Sequence, residues 1–109
     1  LTAMVNLIYL AARDSYRIER EDKAGISYVD FIFYPETDKK ADGIILELKV
    51  GHTAEKALQQ IKEKKYVLKF NGKIGEMPKY TGRILGVGIA YDKKSKKHTC
   101  KIEILRNFL

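Results

Sequence analysis

The sequence predicts an α/β fold in which helices cover one central sheet. Two segments carry apolar residues at helical spacing, and five shorter segments are rich in β-branched and aromatic residues, which is typical of strands. These segments follow one another as helix, three strands, helix and two strands, so that one sheet can lie against helices. With 109 residues, of which 45% are hydrophobic and 32% charged, the chain is expected to form a single domain, residues 1–109.

The first part of the chain predicts one helix and two strands. Apolar residues recur every three to four positions over residues 2–13, which indicates an amphipathic helix. Residues 16–21 alternate apolar and charged side chains, which favours a half-exposed strand. After Gly25 come the aromatic and β-branched residues 28–34, and Pro35 closes this second strand.

A third strand and a second helix follow a polar loop at residues 36–42. The strand is expected over residues 43–50 and ends at Gly51. Thr53 is a suitable N-cap for a helix over residues 54–69, because its hydroxyl can accept a hydrogen bond from the first turn. The buried stripe of this helix is expected at Ala54, Ala57, Leu58, Ile61 and Leu68.

The last third of the chain predicts a loop and a hairpin. Residues 71–81 mix Gly, Pro and Lys, and strands are expected over residues 83–91 and 99–105. The lysine-rich link at residues 92–98 joins them. Its lysines either contact the backbone of DNA or are simply solvated.

The composition favours nucleic acid as the partner. Twenty-one Lys and Arg against fourteen Asp and Glu give a net charge of +7, which attracts a polyanion. The alternative is a lysine-rich surface that serves solubility alone. No apolar run suits a membrane span and no signal peptide is recognisable, which predicts a cytoplasmic location and no membrane partner. The single cysteine, Cys100, excludes an internal disulfide. The start at Leu1, rather than at Met, predicts a fragment of a longer protein.

Three charged residues stand out in the two most apolar strands. Strand alternation puts Glu47 and Lys49 on one face of the third strand, and Asp30 lies among the aromatic residues of the second. A buried carboxylate is costly unless a cation or hydrogen bonds offset its charge. If the two strands pair, a metal ion between Asp30 and Glu47, with Lys49 beside them, would provide that offset.

Such an arrangement suits the cleavage of a phosphodiester bond. Mg²⁺ prefers carboxylate and carbonyl oxygens, and a bound ion would polarise the phosphate and acidify a water molecule. Lys49 would orient that water and stabilise the charge that grows on the phosphate. The alternative is that Glu47 and Lys49 form the solvent face of an edge strand while Asp30 pairs with a nearby Lys or Arg.

Four stretches resemble the PD-(D/E)XK nuclease superfamily, and more closely the nuclease-like domain found at the C-terminus of bacterial AAA-ATPase-like proteins. They read E-R-E-D-K-A-G-I-S-Y-V-D-F-I-F-Y-P, I-I-L-E-L-K-V, A-L-Q-Q-I-K-E-K-K-Y and G-V-G-I-A-Y-D. Val29 replaces the proline that gives the superfamily its name, as in many members. The resemblance implies a restriction-endonuclease-like α-β-β-β-α-β core with a mixed central sheet flanked by helices. It also implies Mg²⁺, or Mn²⁺ in its place, held by Asp30, Glu47 and the main-chain carbonyl of Leu48, with Lys49 as the catalytic lysine.

The resemblance also points to supporting residues. Glu21 stands where relatives bring another acid near the metal, and its alternative is a surface acid paired with a basic neighbour. Gln60 and Lys64 share a helix face where relatives carry a supporting glutamine, and Gln60 is favoured over Lys64 and Gln59 for this role. Tyr66 is expected either to pack at the helix end or to help position the site.

Three functions fit these observations. The first is a Mg²⁺-dependent endonuclease that hydrolyses DNA. The second is a catalytically inactive nuclease-like module that binds nucleic acid or an AAA-ATPase-like domain of the same parent chain. The third is a homodimeric interaction domain, because the final strands offer an open sheet edge.

Overall fold

The described part of this computed structural model covers residues 7, 10, 12–22, 28–72, 75–76 and 79–109, and the elements with defined bounds in it are five strands, an α-helix and a 3-10 helix. The helix expected over residues 2–13 falls mostly outside these residues. In chain order the elements are β1 Tyr16–Asp22, β2 Tyr28–Pro35, β3 Gly43–Val50, α1 Ala54–Glu63, the 3-10 helix Tyr66–Phe70, β4 Ile84–Asp92 and β5 Lys97–Arg106.

The strands form one mixed sheet in the order β1-β2-β3-β4-β5. β2 is antiparallel to both β1 and β3, β4 is parallel to β3, and β5 returns antiparallel to β4. A parallel step needs a crossover connection, and α1 supplies it between β3 and β4. The predicted α/β fold with a mixed central sheet is therefore confirmed. β3 lies in the middle of the sheet, so its residues are not those of an edge strand.

Helix α1 begins as the sequence predicts and lies close against the sheet. The hydroxyl of Thr53 accepts a hydrogen bond from the backbone N–H of Lys56 over 3.0 Å, and Glu55 occupies the first turn, where the helix dipole favours an acid. On the sheet side, a Cβ atom at Gly88 of β4 would overlap the carbonyl oxygen of Ala54. The missing side chain of Gly88 therefore permits the close approach of α1 to β4.

The predicted helix over residues 54–69 is too long, because α1 ends at Glu63 and the backbone leaves the right-handed helical conformation at Lys65. Lys65 adopts a left-handed conformation with φ 54° and ψ 37°, and a 3-10 helix follows. A continuous helix would have carried the buried stripe of Ile61 on to positions 65 and 68. Instead Leu68 is 60% exposed, while Tyr66 and Phe70 are buried. The break thus turns two aromatic side chains, rather than Leu68, towards the core.

The core lies on both faces of the sheet. Residues of β2 and β3 alternate between the faces, as the period of a strand requires. The face under α1 buries Ile32, Tyr34, Ile45, Leu58, Ile61, Tyr66, Phe70, Tyr80 and Ile84. The opposite face buries Phe31, Phe33, Leu46 and Leu48.

Candidate functional site

Asp30 and Glu47 face each other across the central strand pair. The antiparallel register of β2 and β3 makes them direct partners. Each shares a strand face with an isoleucine under α1, Ile32 in β2 and Ile45 in β3. The exposed fractions are 1% for Asp30 and 0% for Glu47, so two carboxyl groups lie side by side in the protein interior.

Lys49 belongs to the same face, two residues beyond Glu47 along β3. It is 3% exposed, and its backbone pairs with Tyr28 in the register of the sheet. The alternative in which Glu47 and Lys49 form the solvent face of an edge strand is wrong, because β3 is a central strand and both side chains are buried. Leu48, between them, points to the opposite face and is 1% exposed, in the cluster that contains Phe31.

Two side chains from the end of α1 and the 3-10 helix bind the acid pair. The ammonium of Lys64 donates hydrogen bonds to Oδ2 of Asp30 over 2.9 Å and to Oε1 of Glu47 over 2.6 Å. The hydroxyl of Tyr66 donates to the same Oδ2 of Asp30 over 2.9 Å. The alternative interpretation proposed that Asp30 pairs with a Lys or Arg, and this part of it is correct.

The backbone break at Lys65 explains how both neighbours reach one carboxylate. In a regular helix, the side chains of two residues that are two positions apart point to nearly opposite sides, since each residue turns the chain by roughly 100°. The left-handed conformation of Lys65 removes that constraint. Lys64 and Tyr66 therefore converge on Asp30 although only one residue separates them.

The electrostatics of the cluster follow from its burial. Burial and the neighbouring carboxyl of Asp30 raise the pKa of Glu47 to about 7, although the ammonium of Lys64 opposes this shift. Burial by itself lowers the pKa of Lys64, but its hydrogen bonds to Glu47 and Asp30 outweigh burial and raise it. The ammonium of Lys64 thus holds its proton more tightly than an ordinary lysine, and one ammonium does not fully offset two adjacent buried carboxylates.

The acid pair has the chemistry of a divalent-cation site. Among the described residues, neither Oδ1 of Asp30 nor Oε2 of Glu47 has a hydrogen-bond partner, although both atoms are buried. Buried, unpartnered carboxylate oxygens need a cation or water. The described residues hold no cluster of three or more His, Cys, Asp or Glu side chains that suits a metal. Mg²⁺ commonly takes only one or two carboxylates and completes its shell with water and substrate oxygens, so Asp30 and Glu47 fit it.

Two supporting residues predicted from the sequence lie nearby in the fold. Gln60 is half-buried, one helical turn before Lys64, and its backbone carbonyl accepts the N–H of Lys64 over 3.0 Å. The backbone of Glu21 in β1 pairs with that of Asp30. The side chain of Glu21 falls outside the described residues. Gln59 is exposed and donates to Glu63 over 3.2 Å.

Lys64 is the residue that the sequence interpretation ranked too low. The sequence does place Gln60 and Lys64 on one helix face, but of the two it was Gln60 that was predicted to support the site. The structure gives the direct contacts with the acid pair to Lys64, because the chain turns at Lys65. No glycine marks that turn in the sequence.

A groove of about 490 Å³ lies at the carboxyl ends of β3 and β4. Its lining includes His52 just past β3, Thr53 at the start of α1, and Lys97 and Lys101 of β5. The hairpin that follows β4 adds the exposed Lys93, Lys94 and Lys96 at the same end of the sheet. The groove is also lined by Glu55 and Asp92, and the exposed lysines lie at the end of the sheet that holds Glu47 and Lys49.

Comparison with known proteins agrees with this geometry. A sequence profile of the PD-(D/E)XK nuclease superfamily matches residues 2–100. No curated protein and no solved structure matches the chain. In the described ranges, no helix combines the length and the apolar character that crossing a membrane demands. The five-stranded mixed sheet is the restriction-endonuclease-like arrangement of such domains. The profile covers most of the chain, and the chain therefore belongs to the PD-(D/E)XK nuclease superfamily.

Proposed function

We propose that this domain is a metal-dependent nuclease that hydrolyses phosphodiester bonds in DNA. The observation that carries the proposal is the direct opposition of two buried carboxyl groups, Asp30 and Glu47, with Lys49 on the same face of the sheet. Membership of a nuclease superfamily whose members generally use divalent metal ions supports the same conclusion.

Each residue of the site has a proposed role. Asp30, Glu47 and the main-chain carbonyl of Leu48 hold Mg²⁺, which Mn²⁺ can replace. When bound, the ion supplies Lewis-acid chemistry at the phosphate and a more acidic water. Lys49 is the catalytic lysine, a buried cation that orients the water and stabilises charge on the phosphate. Gln60 and Glu21 support the site from α1 and β1.

DNA is the proposed substrate because the chain is basic and exposed lysines lie at the end of the sheet that holds the site. The chain carries a net charge of +7, and exposed lysines of the hairpin lie at the end of the sheet that holds Glu47 and Lys49. Such cations bind phosphates without reading bases. The proposal also includes a cytoplasmic location, an AAA-ATPase-like domain in the same bacterial parent chain and a possible homodimer.

A second candidate function is a catalytically inactive nuclease-like module that binds nucleic acid or a partner ATPase domain. The contact of Lys64 with both acids favours it, because an internal ammonium offsets carboxylate charge without any metal ion. In such a module the cluster would be a structural ion pair. Binding to DNA would then be independent of divalent ions.

Cleavage of supercoiled plasmid and of single-stranded DNA separates the two candidates. Wild type is expected to cut with Mg²⁺ or Mn²⁺ and to be inactive in EDTA. Lys49→Ala and Glu47→Gln are expected to abolish cutting, while Lys40→Ala, in the exposed loop between β2 and β3, serves as the matched lysine control and retains it. Cutting by all four proteins alike would indicate a contaminating nuclease. The absence of cutting together with metal-independent DNA binding would favour the inactive module.

A further inference from the structure

Lys64, at the end of α1, contacts both carboxylates of the acid pair. Its ammonium lies 2.9 Å from Oδ2 of Asp30 and 2.6 Å from Oε1 of Glu47, and so bridges the two carboxylates. The side chain of Lys64 is 18% exposed, whereas those of Asp30 and Glu47 are 1% and 0% exposed. Lys64 therefore has access to solvent that the two acids lack.

The bridging position of this ammonium is also where a second cation would be attracted. A cation shared by Asp30 and Glu47 would use oxygens of these two carboxylates, which Lys64 already contacts at Oδ2 and Oε1. Two positive charges would then meet at short range. Their repulsion is strong because a buried site screens charge far less than water does.

The formal charges of the cluster lead to the same conclusion. With both carboxyl groups ionised, Asp30 and Glu47 carry two negative charges, and Lys49 and Lys64 carry two positive charges on or against the same face. An added divalent ion would leave the buried cluster with two excess positive charges, and the withdrawal of one lysine would reduce that excess to one. Lys49 is 3% exposed within a central strand. Lys64 lies at the end of a helix and reaches solvent, so Lys64 is the one able to leave.

We propose that Lys64 is an internal counter-ion that occupies the acid pair in the absence of a divalent ion and withdraws when the ion binds. The inference rests on the proposed function in one respect, because it takes Asp30 and Glu47 as the metal-binding acids. It follows that Lys64 lowers the affinity of the site for the ion. It also follows that Lys64 keeps the empty site stable.

Calorimetric titration with Mn²⁺, together with thermal melting in the presence and absence of Mn²⁺, tests the proposal. The proteins compared are wild type, Lys64→Met, Lys64→Gln, Lys64→Arg and the control Lys56→Met, which changes an exposed lysine of the same helix. We expect Lys64→Met to bind Mn²⁺ about tenfold more tightly or better, since charge-assisted hydrogen bonds of this kind contribute at least such a factor. Without the ion it should melt at a lower temperature than wild type, and Mn²⁺ should restore much of the loss. Lys64→Arg and Lys56→Met should keep the affinity of wild type.

The outcomes distinguish the inference from the proposed function. Unchanged or weaker Mn²⁺ binding by folded Lys64→Met and Lys64→Gln overturns the role of Lys64 and leaves the metal centre in place. An absence of Mn²⁺ binding in all five proteins overturns the metal centre and the inference with it. If the variants do not fold, a crystal structure of wild type with Mn²⁺ decides. Separation of the Lys64 ammonium from Oε1 of Glu47 beyond hydrogen-bonding distance supports the proposal, and a retained contact near 2.6 Å contradicts it.

Discussion

The hydroxyl of Tyr66 donates a hydrogen bond to Oδ2 of Asp30 over 2.9 Å, and both residues are buried. This contact links the 3-10 helix to the acid of β2. We expect Tyr66→Phe to lower the free energy of unfolding by about 1–3 kcal/mol, because the carboxylate loses a donor that water cannot easily replace. Urea denaturation at neutral pH, without divalent ions, measures the change.

Tyr80→Phe is the matched control for this substitution. Tyr80 is 6% exposed, and its hydroxyl has no hydrogen-bond partner among the described residues. Removing that hydroxyl should leave stability unchanged or raise it slightly, since an unpaired buried polar group is unfavourable. Equal losses in the two variants would mean that the contact between Tyr66 and Asp30 contributes nothing specific.

The left-handed conformation of Lys65 predicts an unusual response to glycine. A residue with a Cβ atom pays about 1–2 kcal/mol for this conformation, whereas glycine adopts it freely. Lys65→Gly should therefore raise the free energy of unfolding by about 0.5–1 kcal/mol, after the added entropy of the unfolded chain is subtracted. Lys65→Val should lower it, because a β-branched residue tolerates φ near 54° poorly. Chemical denaturation of both variants gives the two signs.

Lys56→Gly, inside α1, supplies the opposite case. Lys56 is exposed in α1, where glycine costs about 1 kcal/mol relative to a good helix former. Replacement of lysine by glycine should thus destabilise the protein at position 56 and stabilise it at position 65. Destabilisation at both positions would show that the helix continues through Lys65 in solution.

The sheet and the position of the acid pair could be predicted from the sequence because both depend on local patterns. Apolar alternation and the Gly and Pro breaks marked the strands to within one or two residues. The period of a strand put Glu47 and Lys49 on one face, and antiparallel pairing with the neighbouring strand brought Asp30 opposite Glu47. These inferences needed no long-range information beyond the pairing itself. The roles of Leu48, Gln60 and Glu21 stay predictions.

The end of α1 could not be predicted because its cause is tertiary. A lysine in the left-handed conformation has no sequence signal comparable to a glycine at a helix end. Burial of Tyr66 and Phe70 against the sheet accompanies this conformation of Lys65. The apolar spacing alone predicts a continuous helix with Leu68 in its buried stripe, and it does not predict the contact of Lys64 with Asp30. The central place of β3 likewise depends on the crossover through α1, which brings β4 alongside it.

The carboxylate of Glu19 predicts a pH-dependent contribution to stability. Hydrogen bonding from the ammonium of Lys69, over 2.7 Å, is the main cause that lowers the pKa of Glu19, and the hydroxyl of Tyr34 adds a bond over 3.0 Å. A carboxyl whose pKa is lower in the folded state stabilises the fold above its unfolded pKa, and that contribution disappears as pH falls through the folded pKa.

We therefore expect Glu19→Gln to reduce the free energy of unfolding at pH 7 by about 0.2–1 kcal/mol, the range for partly exposed ion pairs. The difference from wild type should shrink as the pH falls below the ordinary pKa of a glutamate, about 4.3. Urea denaturation at several pH values between neutral and acid measures this difference. A difference that stays constant, or that grows towards acid pH, would be incompatible with the ion pair.

The exposed lysines of the hairpin predict how DNA binding depends on salt. Lys93, Lys94 and Lys97 lie at the end of the sheet that holds the acid pair. Each phosphate that they neutralise releases condensed counterions, so affinity should fall steeply as the salt concentration rises. Replacing all three with glutamine should weaken binding to unrelated sequences alike and lower the salt slope by up to about 0.9 per lost contact. Fluorescence anisotropy with labelled DNA in Ca²⁺, at several salt concentrations, measures the slope.

The control for this prediction removes the same charge from the other end of the sheet. Lys39 and Lys40 lie in the loop between β2 and β3, and Lys79 lies close by, since the backbone N–H of Thr81 bonds to the carbonyl of Lys39. Their triple replacement with glutamine lowers the net charge equally. If the positive field of the whole protein determined binding, both triple variants would change the slope alike. If the hairpin contacts the phosphates, only the hairpin variant loses slope, because counterion release requires contact with the backbone of DNA. A flat salt response in wild type would argue instead that the domain binds a protein partner.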